Sequence, residues 1–187
     1  MPSPSSRALH IERILFVVGT QNAGKSTALR SMFIDPRFGT RGLIPAQSRI
    51  KLVALSRERC LFVRLTSPHE RNESVDEFFR TIVSAEERAA RLGFRRLNLA
   101  CAMQPFAANR MPDLTAVCTK TRNKFSPERM RIAIVDPRQD GNPGPKFGRS
   151  EIQSLRKDNV ELIGIDGEHS LQQSPNGMIL ADYFDFT

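Results

Sequence analysis

The chain has no long apolar run, no paired cysteines and no histidine cluster, and each absence removes a class of function. Its longest wholly apolar stretches, such as Ile14-Leu15-Phe16-Val17-Val18, are far shorter than the roughly 20 residues of a membrane-crossing helix. Met1 to Arg13 holds no apolar region of the signal-peptide kind, so a cytoplasmic protein without membrane attachment is expected. The 3 cysteines, Cys60, Cys101 and Cys118, are widely spaced within apolar stretches, which argues for buried reduced thiols over disulfides or a zinc site. Acidic residues are also in deficit, 20 against 28 Lys and Arg, for a formal charge of +8. Such a balance favours polyanionic partners, nucleic acid among them. The basic residues are nonetheless scattered, and neither a recognition helix nor an aromatic and basic single-strand platform is present.

With 187 residues, 40% of them hydrophobic, the chain can bury one sizeable core, and a single domain over 1–187 is expected. Residues 1–10 read as a flexible start and 171–187 as a tail without a clear helix, whose Tyr183, Phe184 and Phe186 either finish the core or dock on another chain. Between them, strands and helices alternate. Ile14–Val18, Ile50–Leu55, Cys60–Leu65, Arg96–Met103, Ile132–Val135 and Val160–Ile165 have strand character. The short polar joint Ser56-Arg57-Glu58-Arg59 makes the second and third of these an antiparallel hairpin. Ser74-Val75-Asp76-Glu77 is a capping box that opens a helix with apolar residues at helical spacing and Gly93 as its stop. Leu114 to Phe125 forms another helix, and Ser150-Glu151-Ile152-Gln153 begins a third capped one. This alternation predicts an α/β fold of three layers, a mostly parallel sheet with one antiparallel hairpin strand covered on both faces. Ligands of such sheets gather at the carboxyl ends of the strands, near Thr66, Gln104, Asp136 and Asp166.

The first strand runs directly into Gly19-Thr20-Gln21-Asn22-Ala23-Gly24-Lys25-Ser26, a complete G-x-x-x-x-G-K-[ST] loop, and then into the helix-compatible Ser26 to Phe33. Glycine at both ends allows backbone N–H groups to converge on phosphate oxygens at the positive end of a helix. Lys25 brings a mobile positive charge to β- and γ-phosphates, and the Ser26 hydroxyl is suited to a Mg²⁺ ion that bridges them. Gly19 through Thr27 therefore form the expected nucleotide-binding segment.

With Thr27 added, this loop resembles that of the P-loop NTPase superfamily, and the element order from Arg13 to Asp166 is similar to its Ras-like GTPase branch. The form Asn-x-Gly-Lys-Ser-Thr also resembles ABC-type and SMC-like ATPases, although no Leu-Ser-Gly-Gly signature is present. The resemblance implies a three-layer P-loop NTPase fold with Mg²⁺ and ATP or GTP as ligands. Thr40 then matches the switch threonine that closes on Mg²⁺, and Asp140 the last residue of the guanine-reading motif. Ile132 to Asp136 reads either as the strand before that motif or as the apolar run and metal-supporting Asp of an ATPase. In the GTPase-like order that strand lies two places from the loop-bearing strand, too far for Asp136 to reach a metal; a different order brings it near.

The third strand departs from the GTPase pattern. Leu65 stands where a metal-supporting Asp is expected and Pro68 where a glycine N–H would sense the γ-phosphate. Thr66, His69 and Glu70 are the polar groups left to contact a metal-bound water or to orient a nucleophilic one. Three functions are compatible: an NTPase that hydrolyses slowly and is completed by a protein partner, a nucleotide-dependent scaffold with little turnover, and a small-molecule or nucleotide kinase. The Gly-, Pro- and Arg-rich connections 34–48 and 137–149, with Arg49 just after the first, supply further cations, including Arg37, Arg41, Arg138, Lys146 and Arg149, as candidate phosphate contacts.

Overall fold

The computed structural model describes residues 9–168 and 174–187. Of the segments expected to be a flexible start and a loosely packed tail, residues 1–8 and 171–173 lie outside the described residues. The strands are β1 (His10–Val18), β2 (Val53–Ala54), β3 (Arg59–Arg64), β4 (Arg96–Met103), β5 (Arg129–Val135) and β6 (Val160–Ile165). They form one six-stranded sheet in the order β2-β3-β4-β1-β5-β6. Every pairing is parallel except the β2–β3 hairpin. The helices are α1 (Lys25–Ser31), α2 (Val75–Arg91), α3 (Leu114–Phe125), α4 (Arg149–Lys157) and α5 (Pro175–Ala181).

Alternation along β1 shows why its apolar run is unbroken. Ile14, Phe16 and Val18 enter one core with the apolar faces of α2 and α3, while Leu15 and Val17 enter a second core with α1 and α5. A strand buried on both faces has no polar side to show in its sequence. The capping box at Ser74 forms as expected: its N–H donates to Glu77 Oε2 at 2.7 Å, and its hydroxyl oxygen accepts from the Glu77 N–H at 3.3 Å. All three cysteines are buried and unpaired, and burial pushes the Cys60 and Cys101 thiols up to about 12. No helix among the described residues is long and apolar enough to cross a membrane.

Four details differ from the sequence reading. Only Val53 and Ala54 of the expected strand Ile50–Leu55 pair with β3; Ile50 and Leu55 are apolar because they are buried in the second core. The strand carrying Ile132 to Val135 lies directly beside β1, with Val18 opposite Ile134, while β4 separates β1 from β3. Strand periodicity measures burial and carries no information on neighbour order, and β4, buried from Leu97 to Met103, takes a central place. The third capped helix starts earlier than Ser150: the Glu151 carboxylate accepts the Gly148 N–H at 2.6 Å, which puts the cap at Gly148. Finally, the tail does contain a helix, α5, capped by Ser174 and opened by Pro175. Tyr183 and Phe184 beyond it are buried and complete the second core.

Candidate phosphate-binding site

The loop that follows β1 lies at the carboxyl edge of the five parallel strands, between β4 and β5. Its entry is fixed by Gly19, whose N–H donates to the Met103 carbonyl at 3.2 Å. Two residues turn it with positive φ, Asn22 at 58° and Gly24 at 99°. The second value lies well into glycine territory, which accounts for the residue type at that place. Ala23 N–H closes on Thr20 O at 3.3 Å and Ala28 N–H on Gly24 O at 2.9 Å. Among the described residues, the N–H groups of Gly24, Lys25, Ser26 and Thr27 take no acceptor, as befits a helix's first turn.

Lys25 is 5% exposed, with Nζ donating to the Thr20 carbonyl at 2.6 Å and lying 3.2 Å from Glu70 Oε1. Its pKa is lowered, by burial first and by nearby Arg138, against the opposing pull of Glu70. Gln21, Asn22, Ala23, Gly24, Lys25, Ser26, Thr27, Leu65, Glu70 and Gln139 line a pocket of about 240 Å³. Its walls combine backbone donors, one buried ammonium group and the Glu70 carboxylate.

The structure sorts the remaining expected residues. Glu70 is brought to the pocket, on the turn between β3 and α2. His69 is not turned into it: Nδ1 is 3.2 Å from Ser67 Oγ and Nε2 3.2 Å from the Pro112 carbonyl, so both ring nitrogens are engaged in a buried setting that lowers its pKa. Thr66 lies on the same turn, its carbonyl accepting from Arg64 Nε at 3.0 Å, and does not line the pocket. Thr40 Oγ1 donates to Phe33 O at 2.6 Å, which commits it to the turn after α1.

Asp136 follows the strand beside β1, yet its carboxylate accepts the Gly144 N–H at 2.7 Å and is exposed outside the pocket. Asp140 pairs with Arg138 at 2.9 Å, and a hydrogen bond from Asn142 holds its carboxyl below the usual range. Arg37 is bound to buried Asp35 at 2.6 Å and to Asp182. Among the described residues, no three His, Cys, Asp or Glu side chains converge as a metal site.

Gln139 is a pocket residue that the sequence did not single out. Its N–H donates to the Ala23 carbonyl at 3.2 Å, and Arg138 Nη2 donates to Gln21 O at 3.3 Å, so the connection after β5 is clasped onto the loop. The only signal for this is strand order, which periodicity does not reveal. Wider surface hollows of about 490 Å³ each lie between α3 and α4 and between α2 and α3. Neither has the convergent donors of the loop. No family model, curated protein or solved structure matches this chain.

Proposed function

We propose that the chain is a P-loop NTPase that binds a Mg²⁺-nucleoside triphosphate at Gly19 to Thr27 and turns it over slowly in isolation. The observation that carries this reading is the loop itself: four successive N–H groups without an acceptor among the described residues, beside a buried lysine, at the sheet edge where the strands end. An anion is the ligand that satisfies both. The residues fit the phosphate part of the ligand directly. For Mg²⁺ the fit is through Ser26, which is exposed on the pocket wall; the metal would add positive charge against the phosphate oxygens.

What surrounds the loop supports slow turnover. A hydrolase needs a group to orient water, and of Thr66, His69, Glu70 and Asp136 only Glu70 reaches the pocket, where it is engaged with Lys25. The same observation supports a second reading, a nucleotide-dependent scaffold that holds its ligand and leaves it intact, with a protein partner reading the loaded state. A product assay with Mg²⁺ and ATP or GTP separates the two. Slow phosphate release that is lost in Lys25→Ala supports hydrolysis. Stoichiometric, unchanged nucleotide supports the scaffold, and no Lys25-dependent retention of either nucleotide contradicts both.

A further inference from the structure

Lys25 has three N–H donors. One is spent on the loop's own Thr20 carbonyl, and a second faces Glu70 Oε1 at 3.2 Å. A phosphate oxygen reaching Lys25 must compete with that carboxylate, because both are anions seeking the same buried ammonium group.

The turn that carries Glu70 is pinned on every side. Glu70 N–H donates to Ser67 O at 3.1 Å, and Arg71 and Glu73 N–H donate to Pro68 O at 3.2 and 3.0 Å. Arg64, itself buried, donates to Thr66 O at 3.0 Å and to Glu73 Oε2 at 2.7 Å. From the other side, Asn109 Nδ2 donates to the His69 carbonyl at 2.7 Å, and the His69 ring reaches Pro112 O at 3.2 Å. The backbone on both flanks of Glu70 is thus held, so only rotation of its side chain can carry the carboxylate off Lys25.

Resting on the phosphate-loop reading, we infer that Glu70 is a resident counter-ion of Lys25, a carboxylate that holds the phosphate position until a polyphosphate displaces it and that returns as the ligand leaves. It weakens ligand binding and speeds release. This differs from a water-orienting role, whose loss would slow hydrolysis and leave affinity unchanged.

The test is calorimetric titration of Mg²⁺-tripolyphosphate, which has no base or sugar, into the unaltered protein, Glu70→Gln, Glu70→Ala and the control Glu168→Gln at one ionic strength. Glu168 is exposed in the connection after β6, at the same sheet edge, and its removal changes net charge equally. The expected result is about tenfold tighter binding by both Glu70 variants and less than about twofold for Glu168→Gln. Equal or weaker binding by the Glu70 variants, with the unaltered protein still binding, overturns the counter-ion role and leaves the phosphate loop standing. A gain in Glu168→Gln that matches Glu70→Gln overturns it too, as a diffuse charge effect. Absence of binding by all four proteins, each shown folded by its melt, overturns both readings.

Discussion

Lys25 is placed at a cost to the fold. Its pKa is lowered chiefly by burial, so the charged form is less favoured in the folded chain than in water. A residue kept for ligand contact under such conditions lowers stability and raises function. We therefore expect Lys25→Met, which keeps the stem and removes the charge, to melt at or above the temperature of the unaltered protein. His69 plays the opposite part, a structural bridge between the β3–α2 turn and the segment before α3. Its pKa lies below the ordinary 6.5 because burial disfavours the cation, so the unfolded chain takes up the proton more readily. Stability is then full above pH 6.5 and falls below it, by up to about 1.4 kcal/mol per pH unit until the folded value is reached. Melts of the unaltered protein and His69→Gln between pH 7.5 and 5.5 should show the steeper fall in the former. At this scale the turn of the loop was legible in the sequence, because Gly24 answers a local backbone demand, whereas Gly19 and Thr20 of the expected binding segment do not line the pocket. Thr40, Asp136 and His69 were not, because a polar side chain's sequence position leaves open which neighbour claims it.

Among the elements, those with a strong period were legible with close boundaries: α2 with its capping box, α3 from Leu114 to Phe125, β4 from Arg96 to Met103 and β6 from Val160 to Ile165. Helix α5 was hidden by its own contact. Its central Gly177 weakens any helix reading, and a Cβ there would stand 2.6 Å from the Ser31 carbonyl carbon, with the carbonyl oxygen nearer still. The glycine is what lets α5 lie against the end of α1, the helix that follows the Gly19–Gly24 loop. Gly177→Ala should destabilise the protein by about 1–3 kcal/mol in denaturant titration, where an unhindered helix would gain from alanine. A gain in stability would show that α5 does not approach α1 so closely. The placement of β5 beside β1 was the other element-scale gap, and it explains both the missed Gln139 and the position of Asp136 near the loop without reaching it.

Across the whole molecule, the two ends of the sheet differ in how they are held. At the end away from the loop, buried Glu12 accepts from Arg59 Nε at 3.2 Å, Arg96 Nη1 at 3.1 Å and Asn98 Nδ2 at 3.2 Å, tying the starts of β1, β3 and β4 together. The last residues reinforce this end: Arg13 Nη1 donates to Tyr183 O at 2.6 Å, and Asp185 lies 3.5 Å from Arg59. Tyr183 is buried beneath Arg131, whose guanidinium sits 4.4 Å from the ring centre.

The layered α/β arrangement was legible because burial on two faces leaves continuous apolar strands. The role of Tyr183 and Phe184 as core residues was not, since aromatics in an unpatterned tail serve a core or an interface equally well. The proposed binding of a nucleoside triphosphate at the carboxyl edge through Lys25 is tested by equilibrium binding of Mg²⁺-ATP and Mg²⁺-GTP to the unaltered protein and to folded Lys25→Met. Saturable binding of at least one nucleotide, weakened at least about tenfold in the variant, is the expected result. Equal affinity in the two proteins, or binding of neither nucleotide by the unaltered chain, would contradict it.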